Sequence, residues 1–390
     1  MMKTGDAPSA PGLRLFLLAG EPSGDTLGAA LMAALERQTG GRIRFHGVGG
    51  PAMRAAGLDS LFEAEELAVM GLAEVLPRLP RLRRRLGEVV AAATELRPDA
   101  VVTIDSPSFS LRVQRRLAGC GIPRIHYVAP QVWAWKPWRA RGLARDLDHL
   151  LALLPFEPPL FERHGLATSF VGHPAATCPP LPTPSAARAR LDLSPEAPVL
   201  SVLPGSRPGE LHRLLPVFAE TIARLAAVQP DLHVVLPTLA HLAPALEPAV
   251  AGWPLPARVV VGAEARHAAL AVSRAALAAS GTVTVELAAA GVPSVVAYRV
   301  HPLTALVVRR LLRVPYVSLP NVLAGRPVQP EFLQDACRPE RIAPALESYL
   351  LDPAAQARAA AESRQAARAF GQDAPPPAER AAQAVLSAIG

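Results

Sequence analysis

Short segments dense in apolar residues recur at 13–19, 43–48, 100–104, 124–128, 150–154 and 168–171, each bounded by Gly, Pro or polar residues. Runs of that length without apolar/polar alternation predict strands covered on both faces, as in a parallel sheet. Between them, 26–38 and 107–117 carry helical spacing. A second series repeats the pattern, with strands expected at 199–203, 232–236, 258–261 and 275–279 and another opened by Pro293. Alternating strands and helices predict an α/β chain built from two successive doubly wound parallel sheets, with a cleft between them. The stretch from Pro174 to Pro198 is rich in proline and carries no periodic element before Arg188, which makes it the expected seam. The expected organisation is a first domain over 1–174, a linker over 175–198, a second domain over 199–350 and closing helices over 351–390.

Composition narrows the class. At 390 residues, 50% hydrophobic and 19% charged, the chain belongs among globular proteins large enough for two cores. Its net charge of +7 rests almost wholly on arginine, with Lys3 and Lys136 the only lysines, and the basic residues are scattered except at Arg81, Arg83, Arg84 and Arg85. Nucleic acid is therefore not an expected partner. Three distant cysteines give neither a disulfide framework nor a zinc spacing, which suits a reducing cytoplasm. No run approaches the roughly 18 apolar residues that span a bilayer, so any membrane contact is expected to be peripheral.

Residues 279–297, ASGTVTVELAAAGVPSVVA, read as a strand end, a tight Gly281-Thr282 loop, a helix over 283–290 ending at Gly291, and another strand. A helix that starts just after a strand offers unpaired N–H groups and a positive dipole end to an anion. Glu286 lies four residues after Thr282, facing the same loop mouth; a capping box would need Ser or Thr where Val283 stands. A ligand-binding glutamate and a solvated one on an ordinary connection fit this window equally. In PGSRPGEL (204–211), Gly205 and Ser206 permit close backbone approach and Arg207 offers a planar fork for diphosphate oxygens.

The first series carries its own candidates. In GEPSGD (20–25), Glu21, Ser23 and Asp25 crowd around Gly24 at a carboxyl strand end, where they either face a ligand or cap the next helix. Asp105 is delivered to the carboxyl end of the 100–104 strand; it is either a general base for a hydroxyl or, with Ser106, a cap before Pro107. Residues 67–86 combine Val69, Met70, Leu72, Val75 and Leu76 with Arg81 and Arg84: a lipid-facing surface, or a core helix followed by a solvated basic turn. Trp133, Trp135 and Trp138 beside Lys136 and Arg139 form either an aromatic wall or core filler, and His173 reads as structural. Glu331 and Gln334, three apart, would share one face of a helix.

The motifs AGEPSGD, GVGGPAM, VMGLAEVLP, IDSPSFSLRV, HYVAPQVWAW, FVGHP, LPGSR, ASGTVTVELA and YVSLPN, in this order, resemble the lipid-A-disaccharide synthase family through nearly the whole chain. The resemblance implies the GT-B fold, two Rossmann-like domains, and an inverting transfer of 2,3-diacylglucosamine from its UDP conjugate to 2,3-diacylglucosamine 1-phosphate. It implies Asp105 as the base that takes the acceptor 6-hydroxyl proton. Gly205, Ser206, Arg207, Gly281, Thr282, Glu286, Asn321, Glu331 and Gln334 are implied on the UDP side, and Glu21, Ser23, Gly24 and Asp25 on the acceptor side. No metal or other cofactor is expected, since no D-x-D-like pair stands beside the donor loops. The family resemblance also implies peripheral attachment to the inner membrane, through the surface that includes Val69, Met70, Leu72, Val75, Leu76, Arg81 and Arg84, and a homodimer. Residues 1–11 and the alanine-rich tail carry no family motif. A UDP-sugar epimerase and a non-catalytic nucleotide-sugar sensor are the rival classes on the same scaffold.

Overall fold

A computed structural model describes residues 12–67, 72–177, 179–301, 305 and 314–390. The chain divides into two compact units, the described residues up to Pro174 together with Ala374–Gly390, and Ala175–Asp373.

The first unit holds a seven-stranded sheet. Its strands are β1 (Leu13–Ala19), β2 (Ile43–Val48), β3 (Asp59–Ser60), β4 (Ala100–Ile104), β5 (Arg124–Tyr127), β6 (His149–Ala152) and β7 (Ala167–Phe170). They lie in the order β3-β2-β1-β4-β5-β6-β7, all parallel. Strand β1 shows why its sequence does not alternate. Leu15 and Leu17 pack with Leu31 and Leu35 of the helix Pro22–Thr39, whereas Phe16 and Leu18 pack with Val89 and Ala93 of the helix Leu72–Leu96. Both faces are covered from Leu15 onward, so residues 15–19 are all apolar and buried, while Arg14 at the strand's start is exposed.

The second unit holds β8 (Val199–Leu203), β9 (His233–Thr238), β10 (Ala257–Val261), β11 (Ala275–Ala278), β12 (Ser294–Tyr298) and β13 (Glu331–Leu333), ordered β10-β9-β8-β11-β12-β13. In both sheets the order reverses beside the first strand of the unit, β1 or β8, the crevice position where doubly wound sheets take ligands.

Three expectations change. Residues 175–198 are not a bare linker: Thr183 caps a helix Pro184–Arg190, accepting a hydrogen bond from the Ala186 N–H, and Ala187 and Leu191 are buried with Ala268 and Val272. The closing helices part company. Pro353–Arg368 stays in the second unit, with Ala367 against Ala288 and Ala289. Pro377–Ile389 returns to the first, burying Ala381, Ala382 and Val385 in the core of β1; full burial of one such valine is worth about 1.5–3 kcal/mol. The basic run is not a turn, since Arg81–Arg85 continue the helix Leu72–Leu96.

Candidate functional site

The first cluster lies at the carboxyl ends of β1, β4 and β5. Two neighbouring strand exits are irregular here: Asp105 and Ser106 after β4 have φ of 53° and 45°, and Val128 after β5 has φ of 80°. A branched residue such as Val128 is rarely found with positive φ, and each such residue costs on the order of 1–3 kcal/mol unless its surroundings hold it. The holding contacts are visible. The Asp105 N–H donates to the Tyr127 carbonyl at 2.9 Å, the Val128 N–H donates to the Leu151 carbonyl at 3.1 Å, and the Ser110 hydroxyl donates to the Asp105 carbonyl at 2.8 Å.

Two reciprocal side-chain bonds then join the β1 loop to the β4 loop. The Ser23 hydroxyl donates to Asp105 Oδ2 at 3.1 Å, and the Ser106 hydroxyl donates to Glu21 Oε1 at 2.9 Å. Neither loop uses these groups as caps: the helices starting at Pro22 and Pro107 have no side-chain cap bond. Gly24 keeps this junction close: a Cβ there would stand 3.2 Å from the Ile104 carbonyl oxygen, so the backbone would have to yield by a few tenths of an ångström. Asp25 turns the other way. It is buried, and its carboxylate accepts from the Ala52 and Met53 N–H groups at 2.9 Å each, capping the helix Pro51–Ala55. Asp25 thus serves the GVGG loop, while Glu21 and Ser23 serve Asp105 and Ser106.

Beneath Asp105 lies a buried polar network that the sequence did not single out. Thr103 Oγ1 sits 2.8 Å from His126 Nδ1, and Gln114 Nε2 donates to Thr103 Oγ1 at 2.9 Å and to the Ile125 carbonyl at 2.7 Å. It ties the helix after Asp105 to β4 and β5. Burial lowers the His126 pKa to about 4, so the ring is neutral near pH 7. Nearby, Glu157 is buried, accepts from Trp133 Nε1 at 3.1 Å and from the Leu154 N–H at 3.0 Å, and is pushed up to about 7 by burial. Trp133 also meets Phe156 edge-on at 5.1 Å, so this tryptophan is anchored into the fold, whereas Trp138 is exposed. His173 is buried and lowered to about 4 by that burial.

The second cluster lies at the carboxyl ends of β8, β11 and β12. Gly281, with φ of 152°, precedes the helix Thr282–Ala290, whose N-terminus has no side-chain cap; Gly291 closes it in the left-handed conformation. Glu286 is paired with Arg266 of the helix Ala263–Val272. In the loop after β8, Gly205 has φ of 117° and Arg207 is exposed. The Ser206 N–H donates to Glu210 Oε2 at 3.0 Å, and the Tyr298 hydroxyl donates to Glu210 Oε1 at 3.0 Å. Glu210, absent from the sequence-based candidates, reads in isolation as an ordinary acidic residue in a first helical turn.

Asn321, Glu331 and Gln334 do not share a helix. Glu331 opens β13, and Gln334 starts a short 3-10 turn at φ 49°. The Glu331 carboxylate accepts from the Val317 N–H at 3.0 Å, the Ser318 N–H at 2.9 Å and Asn321 Nδ2 at 2.8 Å. Asn321 is fully buried, and its Nδ2 also donates to the Gln329 carbonyl at 2.6 Å while its Oδ1 accepts from the Gln329 N–H at 2.8 Å. Ser280, one residue before Gly281, donates to the Val317 carbonyl at 3.2 Å. Asn321 and Glu331 therefore brace the segment beside the Gly281 loop.

Of the apolar and basic surface, Val69 and Met70 lie outside the described residues, as do the side chains of Leu72, Val75 and Leu76 and that of Trp135. Arg81 and Arg84 are exposed, 3.6 Å from Glu66 and Glu88 respectively. Arg85 is paired with Glu66 and Glu88 and lies 4.2 Å over the Phe62 ring. Among the described residues no helix is long and apolar enough to cross a membrane.

Comparison with known proteins agrees with this architecture. The model of the family described as lipid-A-disaccharide synthetase matches residues 15–385. The lipid-A-disaccharide synthase of Rhodospirillum centenum is 51% identical over 97% of this chain and 95% of its own length, and that of Rhodopseudomonas palustris is 45% identical over 100% and 99%. Among solved structures, MurG of Acinetobacter baumannii superposes with a TM-score of 0.60 at 16% identity, covering 97% of this chain and 99% of its own. UDP-GlcNAc 2-epimerase of Neisseria meningitidis bound to UDP-GlcNAc superposes with a TM-score of 0.63 at 10% identity, covering 96% and 99%. These structural likenesses establish the GT-B architecture, and the near full-length sequence matches establish that the chain belongs to the lipid-A-disaccharide synthase family.

Proposed function

We propose that this chain is an inverting glycosyltransferase that transfers 2,3-diacylglucosamine from UDP-2,3-diacylglucosamine to the 6-hydroxyl of 2,3-diacylglucosamine 1-phosphate, releasing UDP and forming the β-1′,6 disaccharide. The observation that carries the residue assignment is the conformation of Asp105, held at positive φ at a sheet's carboxyl edge with its carboxylate hydrogen-bonded to Ser23. As general base, Asp105 takes the acceptor hydroxyl proton while the oxygen attacks the anomeric carbon and the bond to UDP breaks. Glu21 and Ser23 orient the Asp105 and Ser106 turn. On the donor side, Arg207 and the uncapped helix start at Gly281-Thr282 stabilise the charge that develops on the diphosphate. Glu286 receives the ribose hydroxyls, a role in which the Arg266 pairing holds its carboxylate in place. Gln334 contacts the nucleotide from the end of β13.

The epimerase alternative loses ground because its structural likeness stands at 10% identity while the synthase relatives reach 51%. UDP-diacylglucosamine incubated with and without the acylated sugar phosphate, resolved by thin-layer chromatography, tests the reaction. Disaccharide that forms only with acceptor supports the transferase; a free or epimerised sugar formed without it overturns the reading.

Peripheral membrane attachment through the helix bearing Arg81 and Arg84, and assembly as a homodimer, belong to the same proposal. Diacylated substrates make a lipid-facing surface useful, and exposed arginines beside apolar residues suit anionic headgroups. Detergent-free liposome flotation tests the first: wild type should float and Leu72→Glu should float less. Sedimentation equilibrium tests the second.

A further inference from the structure

We infer that Glu210 is a positioning residue for the donor loop, setting the backbone of Gly205-Ser206-Arg207 so that the loop receives a nucleoside diphosphate. The inference rests on the reading of that loop as the diphosphate contact. A carboxylate directly behind an anion-binding loop is unexpected on charge alone, because like charges repel. Glu210 is nevertheless buried, at 7% exposure, in the first turn of the helix Pro208–Val228. Burial of a carboxylate is costly unless its oxygens are filled, and here each oxygen has a donor. Oε2 takes the Ser206 N–H at 3.0 Å and Oε1 takes the Tyr298 hydroxyl at 3.0 Å.

These bonds have a geometric consequence. Tyr298 is the last residue of β12 and pairs in register with Leu333 of β13, the residue before Gln334. Glu210 thus pins the β8 loop to the end of β12, next to the strand that leads into Gln334. A second strap one turn along the helix, Arg213 Nε to the Arg299 carbonyl at 3.1 Å, joins the same two elements. Gly205 is part of the device: its φ of 117° favours glycine, and a Cβ there would stand 2.8 Å from Glu210 Cβ. The carboxylate can approach the loop backbone only because position 205 has no side chain. Arg207 lies 3.9 Å from Glu210 with its side chain 62% exposed, a loose pairing that leaves the guanidinium free to move to a bound diphosphate.

Calorimetric titration with UDP, alongside thermal melting and steady-state kinetics, separates positioning from surplus charge and from mere fold support. Glu210→Ala is expected to weaken UDP binding at least about tenfold and to raise the donor KM more than it lowers kcat. Glu210→Gln keeps an acceptor for the Ser206 N–H and a polar group for Tyr298, so it should stay within about threefold of wild type. If both variants tighten UDP, the carboxylate is only a repulsive charge and the inference fails. It also fails if Glu210→Ala lowers the melting temperature but leaves UDP affinity of the folded protein unchanged. Tyr298→Phe removes one hydroxyl from the same network and decides the matter should Glu210→Ala not fold; a UDP affinity weakened about threefold supports the inference, and an unchanged one overturns it. Wild type that fails to bind UDP overturns the donor-loop reading and this inference with it, whereas binding by wild type with an indifferent Glu210→Ala overturns the inference alone.

Discussion

The hydroxyl of Ser23 donates a 3.1 Å hydrogen bond to Oδ2 of Asp105 across 82 residues of sequence, joining the loop after the first strand of its sheet to the loop after the neighbouring strand. The bond engages one carboxylate oxygen and restricts the rotation of a side chain whose backbone is already held at positive φ.

Asp105→Asn keeps the size of the side chain and its bond to Ser23 but removes the proton acceptor. Turnover is expected to fall by about 10²–10⁴, the usual contribution of a positioned general base, with UDP affinity within a few-fold of wild type. Steady-state rates and UDP titration check this; equal losses in both would sink the base assignment.

Ser23→Ala should act through orientation. We expect kcat to fall about three- to tenfold with UDP affinity unchanged, because Asp105 loses one tether and retains those on its backbone. A loss of UDP affinity as large as the loss in kcat would place Ser23 on the donor side instead.

Glu331→Ala removes the acceptor shared by two backbone N–H groups and the buried Asn321 amide. Leaving partly buried donors unpaired is expected to cost about 2–4 kcal/mol, measured by urea unfolding. Because the braced segment bonds to Ser280, UDP affinity should fall as well.

Glu157 makes stability depend on pH. Its folded pKa is raised to about 7 from 4.5 by burial, so the folded state holds a proton that the unfolded chain releases. The stabilising protonation is fully present below about pH 4.5 and is lost as pH rises through about 7. Relative to Glu157→Gln, wild type should therefore weaken between pH 5 and 8, by at most about 3 kcal/mol. Denaturant unfolding of both proteins at the two pH values tests the sign, and a wild type that gains on the variant at high pH would refute it.

What the amino-acid sequence determined by itself is local or cumulative. Runs dense in apolar residues without regular alternation, such as 13–19 and 199–203, demand strands covered on both faces, and their alternation with helical spacing leads to two parallel sheets. Gly291 is the stop of its helix because the left-handed conformation there favours glycine. The order of nine motifs along the chain led to the family. Asp105, Arg207 and Gly281 stood out because strand ends and Gly-rich turns have recognisable chemistry at short range.

Only the tertiary structure decided which partner each polar side chain takes. Asp25 lies beside Ser23 in sequence, yet it caps a helix 27 residues away while Ser23 reaches Asp105. Glu331 and Gln334 belong to a strand and a turn because β12 offers β13 an open edge to pair with. Glu210 finds Tyr298 88 residues on. The last helix buries Val385 in the core of the first unit with Leu15, Leu17 and Leu35, although the helix before it belongs to the second unit. The reason is common to all four. A carboxylate, a hydroxyl or an apolar face constrains what must meet it, but not where along the chain the partner comes from; parallel strands set loops from distant segments side by side, and burial then makes each unpaired group costly enough to select one partner.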